Sequence, residues 1–408
     1  MLDDRPLAAA APAAAADYAA PADVDRLRKT ALAVGVGGSL ATLAGLFLSP
    51  QYFFRAYLFG WLGWVGVALG CFALLMLNHM TRGAWGVVVR RVLEAASRTL
   101  PWMLLLAVPL FVFGLDDLFL WARPEEVAKD HLLQTKQAYL NPTGFFIRLV
   151  VYFALWGGFA WVLNRWSAEQ DTAPRPELAR RMQLVSAVGL AVWCLAVTWA
   201  SVDWLMSLDP HWFSTVYGVW LMARNGLSAL AFVIAFGIWL AGRPPMAQVI
   251  AARHLHDWGK LFFAFVMLWA YFSFTQFLII WSGNLPEEIE WHLKRISHGW
   301  GPLALAIVLF HFVVPFLLLL SRDLKRNPRL LLGVALLMLG MGFVDLFWQM
   351  EPGFAEQNAA HLWLYAAGLA GAGGWWMFLF LGELRKRPLL PLGDPYLAEA
   401  IGEGDEHH

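Results

Sequence analysis

The sequence predicts an all-α polytopic membrane protein with ten transmembrane helices, and three observations predict it. The first is composition: 59% of the 408 residues are hydrophobic and 15% charged, against roughly 45–50% and about 25% in an ordinary soluble domain. The second is segmentation. Ten apolar runs recur at about 31–48, 57–77, 100–121, 145–163, 183–202, 214–240, 261–281, 301–320, 330–349 and 360–382, each close to the roughly 20 residues that a span needs. The third is the placement of basic residues. With the N-terminus inside, 22 of the thirty Lys and Arg fall on inner segments and six on outer ones, the asymmetry expected when cytoplasmic loops are the basic ones. An even number of spans then puts both termini inside.

Each run is expected to be a helix, because backbone groups in lipid must pair within their own segment. The breaks carry proline, glycine or charge, as at Pro50, Arg123-Pro124-Glu125-Glu126, Pro174-Arg175-Pro176, Arg243-Pro244-Pro245, Pro286-Glu287-Glu288 and Arg326-Asn327-Pro328. The stretch 79–98 mixes Trp85, Val88, Val92 and Leu93 with four arginines, which suits a helix lying along the inner membrane surface. Residues 1–30 are Ala- and Pro-rich, with Asp3 and Asp4 where a signal peptide is basic, and are expected to form a disordered cytoplasmic tail. The membrane domain is assigned to 31–384 and a cytoplasmic C-terminal tail to 385–408. The longest loops, about 78–99 and 122–144, are too short for a self-standing domain. No internal repeat stands out, although two four-helix bundles flanked by the first and last helices fit ten spans.

Several functions are excluded by what the chain lacks. A net charge of zero gives no whole-chain basic field to attract nucleic acid. Cys71 and Cys194 lie far apart in apolar runs, so there is no iron-sulfur ligand set, no CxxCH and no disulfide framework. A membrane haem needs facing histidines, and only His311 lies clearly mid-span, with His361 near the start of the tenth. No metal-binding motif, phosphate loop or catalytic residue set appears.

What remains is a series of polar residues at membrane depth, which are costly there and usually face a protein interior or a water-filled path. Arg224 lies about eleven residues into the sixth run, roughly 16 Å deep, with Asn225 beside it and His311 at similar depth in the eighth. Asp203, Gln276, Asp345 and Gln349 lie toward the outer side, and Asp257 and Lys260 toward the inner. Together they offer polar groups at successive depths, as a proton route requires, with Asp203 and Asp345 as the expected partners of Arg224. An arginine that caps a helix break or extends to the surface is the plain alternative, and Asp209, His256 and Glu351 also fit as interface groups. Arg148 with Asp116 or Asp117 reads as a structural ion pair near the outer surface. The stretch 203–215 alternates aromatic residues with charge around Pro210, so Asp209, His211 and Trp212 are candidates for docking extramembrane partners. Tyr271 and most of the 23 tryptophans read as belt residues.

Two strings carry a resemblance: SVDWLMSLDPHWFST at 201–215, and HDWGK at 256–260 leading through Tyr271, Gln276 and Trp281 to NLPEE at 284–288. Both look like the F subunit (ActF) of bacterial alternative complex III, in the NrfD and polysulfide-reductase-like membrane family. The resemblance implies a ten-helix subunit of a quinol:cytochrome c oxidoreductase in the bacterial cytoplasmic membrane. It implies partners in a paralogous membrane subunit, an iron-sulfur subunit and c-type haem subunits, besides lipid. It also implies no cofactor held by this chain, with quinone or quinol contact as an open alternative to proton passage or a structural role. A ten-helix secondary transporter is the rival reading from span number alone.

Overall fold

The computed structural model describes residues 15–297, 299–354 and 359–402, and no strand occurs among them. Ten helices are long and apolar enough to cross a membrane. They are α1 (Asp23–Leu48), α2 (Pro50–Thr81), α3 (Leu100–Leu118), α4 (Pro142–Thr172), α5 (Pro176–Trp204), α6 (Tyr217–Ala241), α7 (Ala252–Gly283), α8 (Gly301–Leu320), α9 (Pro328–Met350) and α10 (Leu362–Leu384). The chain is a multi-pass, all-α membrane protein.

Local chemistry sets the boundaries. Pro50, Pro142, Pro176 and Pro328 open α2, α4, α5 and α9, since proline's fixed φ suits a first turn and its missing N–H has no partner there in any case. Asn141 and Asn327 cap α4 and α9, their side-chain oxygens accepting from backbone N–H groups of the first turn. The eighth span is uneven. Two α segments, Gly301–Ile307 and Val314–Leu320, enclose a π segment, Val308–Val313, which carries His311. Such wide turns inside a helix are frequent at functional positions.

Helices α2–α5 and α6–α9 form two four-helix bundles joined along α2 and α6, while α1 packs on α10 and α10 on α2. The central position of α2 and α6 is plain from burial: 89% and 83% of their most apolar stretches are covered, against 22% in α1, α7 and α8. Small residues permit the central contact. A Cβ at Gly70 of α2 would come within 2.1 Å of the Asn225 carbonyl of α6.

Both chain ends meet on one face. Leu389 donates its N–H to the Tyr18 carbonyl at 2.8 Å, and Arg385 pairs with Asp25 at 2.6 Å. This face is the expected inner one. Helix α1 begins at Asp23, ahead of the span expected from 31, and residues 385–402 pack against the bundles. Leu389 and Leu390 are buried, and the Ala400 carbonyl accepts from Arg253 and His254 at 2.8 Å each. Residues 1–14 and 403–408 of the two expected tails lie outside the described residues. The stretch 79–98 differs from expectation. It forms two short helices, Ala84–Val87 and Arg90–Ser97, and every residue of the second is buried instead of lying on the membrane surface.

Candidate functional site

The polar residues of the second bundle converge in the half nearer loop 205–216, the expected outer one. Arg224 on α6, His311 on α8 and Asp345 on α9 are all buried, the last two completely. Arg224 donates through Nη2 to Asn225 Oδ1 at 2.9 Å and through Nη1 to the Gly342 carbonyl at 3.4 Å. Asp345 accepts from Gln349 Nε2 at 2.9 Å, a pairing that their spacing of four on one helix face makes natural. The His311 ring lies 4.2 Å from that of Trp269 on α7. Arg224 acts electrostatically on both His311 and Asp345, yet no carboxylate lies within ion-pair distance of it among the described residues.

Buried polar atoms are nearly always paired, and here several are not. Arg224 Nε and both ring nitrogens of His311 have no hydrogen-bond partner, while the Trp269 indole N–H is directed at the Asp345 carboxylate. An imidazole and a carboxylate beside a fixed guanidinium charge in one low-dielectric space can exchange or store a proton; an inert core does not need them. Because α6 begins at Tyr217, Arg224 is seven residues into its helix, about 10 Å from its first residue, and so lies nearer the helix end than the sequence implied.

Other expected members of the route lie elsewhere. Asp203 does not serve Arg224. Arg148 holds it through Nε and Nη2 at 2.9 Å each, and the Tyr152 hydroxyl donates to it at 2.8 Å. Asp116 and Asp117 are therefore not the partners of Arg148; their carbonyls accept from Arg123. Gln276 accepts from the Ser214 hydroxyl at 2.5 Å, which ties α7 to loop 205–216. Asp257 and Lys260 form an exposed pair at 3.2 Å near the N-terminal end of α7. Between them and Trp269 the helix surface is apolar, running Leu261, Phe262, Phe263, Ala264, Phe265, Val266, Met267 and Leu268. Along α7, among the described residues, no ladder of polar groups links Lys260 to Trp269.

The docking candidates are largely consumed internally. Trp212 is buried and stacked on Trp291 at 4.6 Å, and Asp209 is buried 3.5 Å from Lys294. Both partners sit on the connecting helix Pro286–Ile296 between α7 and α8, so these residues clamp that helix to loop 205–216. Only His211 stays exposed, 2.5 Å from Asp130. The hydrogen bond from His211 holds the Asp130 carboxyl below its usual range.

Two features escaped the sequence reading. Arg295, counted there only as an outer basic residue, is buried. It lies 3.6 Å over Trp291 and donates to the Gln349 carbonyl at 2.6 Å, so it closes over the residue that bonds Asp345, and burial pushes its guanidinium down to about 9. Beside it, burial, reinforced by the Arg295 charge, pushes His292 down to about 4. The second is an ionic cluster under the first bundle at the expected inner face. Arg91 binds Glu94 at 2.5 Å and also Asp171; Arg90 binds Asp394; and Ser167 donates to Glu94 at 2.6 Å. The four arginines of 79–98 were the available signal, but apart from Glu94 the acids they meet are supplied by α4, α10 and the C-terminal segment.

No family model matches the chain, and no curated protein matches it.

Proposed function

We propose that this chain is a membrane subunit, without a redox centre of its own, of a bacterial quinol:cytochrome c oxidoreductase of the alternative complex III type. It sits in the cytoplasmic membrane with both termini inside, beside a paralogous membrane subunit, an iron-sulfur subunit and c-type haem subunits. The strings at 201–215 and 256–288 support that membership. The observation that carries the role is the buried, incompletely paired set Arg224, His311 and Asp345 in the expected outer half of the second bundle. Its chemistry is proton handling. Gln349 donates to one oxygen of Asp345 and the Trp269 indole is directed at the same carboxylate, while Arg224 supplies a fixed positive field with no carboxylate bonded to it.

Quinone contact is the weaker option at this position. The crevice beside Arg224, walled by Leu62, Gly66, Trp204, Leu221 and Asn225, has free room for about one water-sized group, far less than a quinone ring needs. The π segment at His311 is the one feature favouring a transporter, whose sites use interrupted helices.

The test starts from native membranes in mild detergent. Co-elution with haem c and iron-sulfur proteins is the expected result; a lone chain that moves a solute in vesicles overturns the assignment. Within an assembled complex, Asp345→Asn is expected to lower quinol-linked proton movement more than quinol oxidation. Full proton coupling in that variant removes Asp345 from the route.

A further inference from the structure

The turn between α8 and α9 gathers cations that meet no acid. Ser321 caps the short helix Arg322–Arg326, and the helix packs on α7 with Leu324 buried. The Lys325 stem lies over Gly259 of α7, where an added Cβ would stand 2.5 Å from its Cγ, so the bare glycine is what admits the lysine. That seat brings Lys325 up to Lys260: burial, and after it the Lys260 charge, holds the Lys325 ammonium below its usual range. The charges of Lys260, Lys325 and Arg326 all bear on the His256 ring, whose Nδ1 is buried without a partner.

Segments 253–260 and 322–329 together hold six Lys and Arg against two Asp. Asp257 pairs with Lys260 at 3.2 Å. Among the described residues no carboxylate lies within ion-pair distance of Arg322, Lys325, Arg326 or Arg329. A general excess of basic residues on cytoplasmic loops does not account for this, because elsewhere on the expected inner face Arg90, Arg91, Arg98, Arg243 and Arg385 each meet a carboxylate. Like charges held side by side repel, so the arrangement calls for an anion from outside the chain.

The neighbouring surface says which anion. Ala264, Met267 and Tyr271 follow Lys260 at intervals of four, three and four, along one face of α7, and all are exposed. Leu317, Leu318 and Leu320 are exposed at the end of α8, directly before the short helix. A basic edge continuous with an apolar face matches a molecule that is anionic at one end and hydrocarbon at the other. Free phosphate would use the edge alone.

We propose that the start of α7 and the α8–α9 turn form a binding site for an anionic phospholipid, its phosphate held among Lys260, Lys325 and Arg326 and its acyl chains lying along α7 and α8. The site is independent of membership in an electron-transfer complex.

The test places the intact assembly in phosphatidylcholine nanodiscs with a trace of photoactivatable phosphatidylglycerol and maps the labelled peptides by mass spectrometry. Labelling is expected at 256–271 and 317–329. Lys325→Gln combined with Arg326→Gln is expected to lower it about thirtyfold, from about 1 kcal/mol per basic residue near the membrane surface and 1.4 kcal/mol per tenfold. Lys325→Arg should keep it, and so should Arg180→Gln with Arg181→Gln, which removes as much charge from the exposed start of α5. Equal labelling by photoactivatable phosphatidylcholine on the unaltered protein, an arm that needs no variant, overturns the proposal, as does an equal loss in the Arg180 and Arg181 variant. Displacement of the photolipid by inorganic phosphate at equal concentration shows an ion site without lipid and overturns it too. So does labelling that appears only when the chain is ended at Gly402, since Glu403, Asp405 and Glu406 would then be the counter-charge.

Discussion

Arg148 on α4 grips Asp203 on α5 with two nitrogens, each 2.9 Å from a carboxylate oxygen, and the Tyr152 hydroxyl completes the set at 2.8 Å. The acid is 1% exposed. Arg148 also lies 3.9 Å over the Tyr139 ring, so loop 119–141 is anchored to the same point. Removing one partner of a buried pair leaves a charge without compensation, at about 3 to 5 kcal/mol for full burial. Arg148 keeps some contact with solvent, so Arg148→Met is expected to cost about 2 to 4 kcal/mol and to reduce the yield of folded protein. The double variant with Asp203→Leu should recover much of that loss, and proton coupling in the recovered protein should be unchanged. Thermal unfolding of the two variants side by side checks it; equal loss in both removes the pair from the stability account.

The topology is open to a direct check. Asp130 lies in the loop between α3 and α4, and Asn327 caps α9 from the opposite face. Reporter fusions at Asp130 and Asn327 are expected to report opposite sides, with Asn327 cytoplasmic because its neighbours Arg322, Lys325, Arg326 and Arg329 belong to the basic side. Matching reports would sink both span number and orientation.

The spans were legible because hydropathy is local: a run of apolar residues bounded by Arg-Asn-Pro at 326–328 announces itself. Pairing was not, because the partner of a buried charge is fixed by the fold. Arg148 and Asp203 are 55 positions apart, and Arg90 and Asp394 are 304. The C-terminal segment was missed for a related reason. Its apolar residues, Leu389 and Leu390, are too few to register as a span, and only the groove they enter reveals that they are core. In the candidate site, Asp345 and Gln349 could be paired from their spacing. The cover made by Arg295 could not, since it depends on the connecting helix Pro286–Ile296 folding back over α9.

His292 makes stability depend on pH. It is held neutral, its value lowered from the usual 6.5 to about 4 by burial first and by Arg295 second. Between those values the unfolded chain binds a proton that the folded chain refuses, so the linkage slope is positive and stability falls as pH falls from about 6.5 to about 4. The full effect is about 3 kcal/mol at one pKa unit per 1.36 kcal/mol. His292→Phe should flatten the unfolding profile in that window. An unchanged profile would show that His292 titrates normally.

The segment 385–402 is predicted to hold its groove through close backbone contact. A Cβ at Gly393 would stand 1.8 Å from the Gln170 carbonyl, so Gly393→Val must lift the segment and loosen the Arg90–Asp394 pair. A Leu390→Cys reporter, with Cys71 and Cys194 replaced by serine, is expected to resist a membrane-impermeant maleimide in the otherwise native chain. It should react once Gly393 is valine. Labelling at equal rates in both would mean that the segment is not seated in the first place.

The contact between the bundles can be separated from helix propensity by a pair of glycines. Within a helix, Gly→Ala alone is worth roughly 1 kcal/mol in favour of alanine. Gly37 on α1 has nothing within 4 Å of where a Cβ would stand, so Gly37→Ala should be neutral or slightly stabilising. Gly70→Ala meets the Asn225 carbonyl at 2.1 Å and the Ala229 methyl at 2.6 Å. Neither helix backbone can yield locally, so α2 and α6 must separate, at a cost of about 1 to 3 kcal/mol, as for other overpacked cores. The movement would carry Arg224 and Asn225 together away from Gly66 of α2, against which both side chains rest. Gly70→Ala is thus expected to lower Tm and also to impair proton movement, whereas Gly37→Ala changes neither by much. Unfolding curves and proton-release traces of the two variants decide it: equal behaviour would mean that α2 and α6 are not in the close contact that places Arg224.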